Sequence, residues 1–449
     1  MAELLNHEAL QSLLTRLRED DAALAAAFPG DTTNRQPVHV VYGGAHLFKA
    51  NTPARLGAIA IQSLQAYAAG PEDFAAALGM PPDLAEPVYA RVIAKLQNEP
   101  VEDYRLDFED GYGYRSDAEE DADTLLAARQ LAAATQQPLF PPFCGFRVKA
   151  LSGHARGRSI RTLQLFLGTL LDALNGHLPS GFVVTLPKVS SPEQVAVFAE
   201  LLTKFELRNG LPAKSLRMEL MIETTRAIID HDGRFALPDL VRAADGRCRG
   251  AHLGAYDLTA ECGVAGKHQD ISHPVCDFVR NAMQVSLAGR GIMLSDSVTS
   301  TMPVPIHRSN HPTPAEKEEN RIGVRHAWKV HFDDCRRSLG NGFYQGWDLH
   351  PAQIPTRYAA VYSFFIEGLP AASSRLHNFV LKAARATTVG NAFDDAATGQ
   401  GLLNFFLRGL ACGAITESEA LQTGLTLEEL KGKSFAAIAE RRAHTPPAS

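Results

Sequence analysis

Eight short apolar runs, most of them followed by a stretch with helical spacing, restrict the fold of this chain more than any other feature. The runs cover 38–42, 104–110, 146–150, 182–188, 218–223, 251–257, 292–296 and 344–350. Segments such as 159–174, 192–205 and 274–288 carry apolar residues at helical intervals between them. Regular β/α alternation is the pattern of a parallel sheet with crossover helices, and eight such units close into a (β/α)8 barrel. Residues 53–98, interrupted by prolines, read as two or three further helices. The expected organisation is an N-terminal helical arm over 1–36, a TIM-barrel domain over 37–356 and a C-terminal helical extension over 357–449. Thr416 with Glu419 and Thr426 with Glu429 have capping-box spacing within that extension.

Alternation within the runs assigns their faces. Side chains of a strand point to opposite sides with period two. Leu106 and Phe108 share one face, while Arg105, Asp107 and Glu109 share the other. Phe146 and Val148 oppose Arg147 and Lys149; Met218, Leu220 and Ile222 oppose Arg217, Glu219 and Glu223; Trp347 and Leu349 oppose Gly346, Asp348 and His350. The outer helices need apolar partners, so the charged faces are expected inside the barrel. Mixed signs allow them to pair. An internal ion-pair network is the plain reading of these charges. A site at the C-terminal strand ends, where barrel chemistry sits, is the functional one.

Two carboxylates stand out. Arg217–Thr224 reads as a strand ending in Glu223, and Gly254–Thr259 as a strand end carrying Asp257, 34 positions later. Neighbouring strands lie about 5 Å apart, so the pair can share one hard cation with oxygen ligands. Mg²⁺ is the expected ion, with Mn²⁺ the alternative. Lys188, after a proline at a strand end, faces the same mouth; the metal pair makes a Schiff base there unnecessary. His154 lies in a Gly-rich basic loop suited to an anion or to solvent. His252 and His350 read as structural. The stretch 303–330 reads as a long loop at the barrel mouth, with helix resuming over 327–339.

Composition narrows the partners. A net charge of −6 and a pI near 6.2 do not suit nucleic-acid binding. The six scattered cysteines include no C-x-x-C pair, as expected for reduced, buried thiols in a cytoplasm. No secretion signal or membrane span is read from the chain.

The motifs Leu186-Pro187-Lys188-Val189, Met221-Ile222-Glu223-Thr224, Gly254-Ala255-Tyr256-Asp257-Leu258, and Gly342-Phe343 with Leu349-His350-Pro351-Ala352-Gln353 occur in that order. Together they resemble the citrate lyase β-subunit-like and HpcH/HpaI aldolase superfamily, related to malate synthases. Asp107-Phe108-Glu109-Asp110 and Phe146-Arg147-Val148 fall where that group carries an acidic motif and a strand arginine. The resemblance implies a Mg²⁺-dependent carbon–carbon lyase or synthase acting on a 2-oxo acid such as glyoxylate, pyruvate or oxaloacetate, with an acyl-CoA partner. It implies that Glu223 and Asp257 bind the metal. Arg147 would hold the substrate, Glu109 and Asp110 would position metal-bound water, and Asp395 or Asp394 would transfer the proton. Lys149 stands beside Arg147 as a further substrate-binding candidate. The resemblance implies a homo-oligomer as well, with a trimer as the expected form. The chain departs from the group at Thr224-Thr225-Arg226-Ala227 and at the turn Gly43-Gly44-Ala45-His46. An aldolase on a coenzyme-A-free hydroxy-oxo acid is therefore an alternative, as is a non-catalytic metal-binding barrel.

Overall fold

The computed structural model describes residues 7–30, 34–309, 311–381, 387–389, 392–394, 396–432, 435, 438 and 441. Eight parallel strands close into a barrel in sequence order. They are β1 (His39–Gly44), β2 (Asp103–Asp107), β3 (Phe143–Arg147), β4 (Phe182–Leu186), β5 (Arg217–Ile222), β6 (Cys248–Leu253), β7 (Met293–Val298) and β8 (Gln345–Asp348). Each expected run supplied one strand. The ring closes through β1 and β8, with Val40 beside Trp347.

Helix α1 (His7–Ala27) precedes the barrel. Between β1 and β2 come α2 (Thr52–Tyr67), α3 (Pro71–Leu78) and α4 (Ala85–Asn98), with proline near the start of α2 and α3. The crossovers are α5 (Asp117–Ala134), α6 (Ala155–Ala173), α7 (Pro192–Asn209) and the short pair α8 (Thr225–Ile228) and α9 (Leu237–Ala243). After β6 come α10 (Ala255–Glu261) and α11 (Pro274–Leu287), and after β7 comes α12 (Pro314–Gly340). Helix α13 (Ile354–Leu381) is one element with Pro370 inside it. The loop expected over 303–330 ends at Thr313, whose capping box with Glu316 starts α12. Both C-terminal capping boxes are present.

The main core lies between the strands and the outer helices, where Leu106, Phe146, Val184 and Leu220 are buried. The barrel interior holds a charged layer and an apolar one. In the charged layer Arg105 pairs with Asp103 and Glu219, and His252 Nε2 lies 3.1 Å from Glu219. In the apolar layer Tyr42 stacks on Trp347, ring centroids 4.7 Å apart, beside Val40, Met221 and Val298.

The face assignments of Trp347, Asp348, Gly346 and Arg217 are corrected. Trp347 points into the barrel, and Asp348 points out among α12 and α13. There it accepts from His39 Nδ1 at 2.8 Å, His331 Nε2 at 3.0 Å and Arg357 Nη2 at 2.9 Å. A strand buried on both faces shows alternation without showing which side is inside, and here the outer helices supply the polar partners. Gly346 shares the outer face, where a Cβ would come within 2.7 Å of the Arg357 guanidinium. His350 lies past β8 and accepts from the Ala352 amide at 3.1 Å. Arg217, expected inside, is exposed at the start of β5.

Candidate active site

At the C-terminal end of the barrel the chain bends to bring acidic side chains from three strand ends together. The turn after β2 is shaped by Asp107. Its Oδ1 accepts from the Glu109 amide at 3.0 Å and its Oδ2 from the Gly111 amide at 2.7 Å. These bonds fold the backbone back and present Glu109 and Asp110. Asp107 also grips Arg147 at the end of β3, with Nε to Oδ1 at 2.7 Å and Nη2 to Oδ2 at 2.5 Å. The Arg147 fork, expected to hold substrate, is therefore engaged by Asp107. Its third nitrogen, Nη1, faces Glu109 at 3.2 Å and Asp110 at 3.4 Å. Both Nη1 and Glu109 Oε2 are buried without an aligned hydrogen bond. The guanidinium packs over the rings of Tyr42 and Trp347, which holds it from below.

Glu223 follows β5. The Thr224 hydroxyl behind it donates to Val189 O at 2.6 Å and accepts from the Ala227 amide, capping α8 and tying the β4 loop to the β5 end. Glu223 Oε1 accepts from the Lys188 amide at 2.6 Å. Gly254 lies against the other oxygen. A Cβ there would come within 2.5 Å of Glu223 Oε2, so only glycine fits. Asp257 is corrected from a strand end to the first turn of α10. The apolar run of β6 continues through Ala255 in the sequence, but the strand stops at Leu253 and a helix begins.

Lys188 joins these groups. Its ammonium lies 2.5 Å from Glu109 Oε1, 3.2 Å from Asp110 Oδ1 and 3.4 Å from Asp257 Oδ2. Its backbone adopts φ of +50°, a left-handed conformation uncommon for a residue with a long side chain. Burial, reinforced by Glu109 and Asp257, pushes the Glu223 carboxyl up to about 8. Burial likewise lifts Glu109 to about 7, against the opposing pull of Arg147. Lys188 is raised by Glu109, Glu223 and Asp110, which outweigh its burial.

Among the described residues no group of three or more His, Cys, Asp or Glu forms a ready metal cluster; the Lys188 ammonium stands between the carboxylates. The donor set nonetheless fits a hard divalent cation. Asp107, Glu109, Asp110 and Asp257 pair with Arg147 or Lys188, and Glu223 accepts from the Lys188 amide. All their donors are carboxylate oxygens, the type that Mg²⁺ selects. Burial raises the Glu223 and Glu109 carboxyls, and a bound cation would favour their charged forms.

A cleft of about 450 Å³ opens beside the cluster. Glu109, Asp110, Lys149, Lys188 and the loop Ser152-Gly153-His154 line it. Lys149 reaches it but is tethered, donating to Phe108 O at 2.6 Å and pairing with Glu120 at 3.2 Å. His154 sits at the start of α6. Asp395 lies outside the described residues, and Asp394 ends the short strand β10 (Ala392–Asp394), which pairs with β9 (Thr387–Val389). Lys188 and Asp107 are the residues whose site roles the sequence reading missed. The signal for Lys188 was its place after Pro187 at a strand end facing the mouth.

Fold and site define a (β/α)8 barrel with an acidic, arginine-braced pocket at its C-terminal face. The chain belongs to the family described as "Domain of unknown function (DUF6986)", whose profile matches residues 17–438. Among solved structures it is similar to a citrate lyase from Burkholderia xenovorans LB400, with a TM-score of 0.55 and 16% identity over 86% of this chain and 95% of that one. The protein CitE from Mycobacterium tuberculosis, in complex with magnesium, acetoacetate and coenzyme A, aligns at a TM-score of 0.46 and 17% identity over 85% of this chain and 100% of that one. A malate synthase from Haloferax volcanii in a magnesium/glyoxylate complex aligns at 0.43 and 14% identity over 92% and 99%. The barrel fold is thus shared with the Burkholderia xenovorans citrate lyase. No curated protein matches the chain significantly.

Proposed function

We propose that the protein is a Mg²⁺-dependent carbon–carbon lyase or synthase of aldol or Claisen type, acting on a 2-oxo acid such as glyoxylate, pyruvate or oxaloacetate. The observation that carries this reading is the convergence of Glu109, Asp110 and Asp257 on the Lys188 ammonium, with Glu223 held by the Lys188 amide and Arg147 Nη1 facing Glu109 and Asp110. The order of the sequence motifs supports the reaction class.

Glu223 and Asp257 would hold the metal, Mg²⁺ or Mn²⁺. Bound there, the ion would supply Lewis-acid polarisation of the oxo acid carbonyl. Arg147 is fixed by Asp107 in one orientation, so its Nη1 can meet a carboxylate or enolate oxygen with little ordering cost. Glu109 and Asp110 orient water at the rim. The stacked Tyr42 and Trp347 close the floor and keep bulk water from entering below. Asp395, or Asp394 beside it, would move the proton at the carbon acid. An acyl-CoA co-substrate, against a free hydroxy-oxo acid, is the finer choice within this class.

A thermal-shift screen of small 2-oxo acids tests the reading, with and without Mg²⁺ and coenzyme A thioesters, on the wild type and Asp257→Asn. Stabilisation by one acid that needs both Mg²⁺ and Asp257 is expected. A further shift with a thioester selects the Claisen form. No metal-linked shift with any acid would make the carboxylates structural and remove the basis of the proposal.

A further inference from the structure

Lys188 is placed where a metal ion and an ammonium compete. Its Nζ touches three carboxylates: Glu109 and Asp110 after β2, and Asp257 in α10. Its amide holds a fourth, Glu223. A divalent cation bound by Glu223 and Asp257 would lie within a few ångströms of this ammonium. Like charges at such separation repel strongly at low local dielectric. The side chain has somewhere to go. It is about one-third exposed and lines the adjoining cleft with Ser152, Gly153 and His154. Its left-handed backbone marks a residue held at this point by its surroundings, and such strain collects at functional positions.

We propose that the Lys188 ammonium is a tethered counter-ion that holds the carboxylate cluster together until a divalent cation binds, and that the cation displaces it into the cleft, where it anchors an anionic group of the substrate. This rests on the metal reading above. It adds an order to the reaction: cation first, then substrate. Linkage makes the competition reciprocal, so whatever the ammonium takes from metal affinity the metal takes from the hold on the ammonium.

Mg²⁺ binding is measured by calorimetry on the wild type, Lys188→Gln, Lys188→Arg and Asp257→Asn. Removing the competing charge is expected to tighten Mg²⁺ binding in Lys188→Gln by about tenfold. Lys188→Arg is expected to stay near wild type, and Asp257→Asn to bind weakly or not at all. On the unmodified protein, acylation of Lys188 by an amine reagent is followed by peptide mass spectrometry. Mg²⁺ is expected to raise it several-fold, with no rise in Asp257→Asn. Equal or weaker Mg²⁺ binding in Lys188→Gln, or labelling unchanged or lowered by Mg²⁺, would overturn the inference while leaving the metal site standing. Absence of Asp257-dependent Mg²⁺ binding in the wild type would overturn both. The labelling arm needs no substitution at Lys188, so a poorly folded Lys188→Gln leaves the test intact.

Discussion

The Lys188 amide donates to Glu223 Oε1 at 2.6 Å, joining the end of β4 to the carboxylate that follows β5. The bond fixes one Glu223 oxygen, and Gly254 leaves just enough room for the other. A buried carboxylate is thereby held in one orientation before any ligand arrives. The Thr224 hydroxyl, donating to Val189 O, repeats the β4–β5 link one residue on. Positioning of this kind on strand ends is more exact than on loop tips.

Glu223→Gln is expected to abolish metal-dependent turnover while leaving the fold intact. The amide keeps an acceptor for the Lys188 N–H and removes a charge that burial already disfavours. Activity with Mg²⁺, set beside the melting temperature of the same sample, checks both halves; full activity would remove Glu223 from the site.

The Glu223 carboxyl also sets a pH dependence. Its folded value, about 8, lies above the ordinary 4.5. The unfolded chain loses this proton first, so the stabilisation is present below about pH 4.5 and is lost as pH rises through 8. The metal-free wild type should lose stability relative to Glu223→Gln across that window, and Mg²⁺ should flatten the difference. Melting curves of both proteins from pH 5 to 8.5, with and without Mg²⁺, measure it.

Gly254→Ala places a methyl within 2.5 Å of Glu223 Oε2. Overpacking of this kind costs about 1–3 kcal/mol, and here the strain falls on a proposed ligand. The Mg²⁺-linked thermal shift should shrink more than the metal-free melting temperature drops. Equal loss in both would mean that the methyl disturbs only the strand end.

Asp107→Ala should cost about 3–5 kcal/mol in denaturant unfolding, because it leaves the buried Arg147 charge without its bidentate partner. It should also remove activity, since Arg147 loses its fixed orientation and the Glu109 turn loses both of its side-chain bonds. Asp348→Ala is the contrast. It strips His39, His331 and Arg357 of a shared buried partner, so a similar loss of stability is expected. Asp348 faces away from the pocket, so activity per folded molecule should remain.

Among the described residues no helix is long and apolar enough to cross a membrane. No disulfide forms, and five of the six cysteines are buried; Cys262 is exposed.

The order of eight strands was legible because strand periodicity and apolar burial are local properties. A run such as Phe146-Arg147-Val148 carries its alternation whatever lies around it. The inward direction of Arg105, Asp107, Arg147, Glu219 and Glu223 followed from the same alternation, since the helices outside needed the apolar face. Other features depended on neighbours distant in the chain. Trp347 and Asp348 exchange the expected faces because His39, His331 and Arg357, from three separate elements, gather outside β8. Asp257 became helical because β6 ends at Leu253, a boundary that an uninterrupted apolar sequence does not mark. The Arg147 fork was taken by Asp107, forty positions earlier. Lys188 came to lie among four carboxylates through packing of strand ends that no single motif encodes. Local pattern determined the elements and their order. Tertiary structure decided which charges meet, because electrostatic partners are set by distance in space and not by separation along the chain.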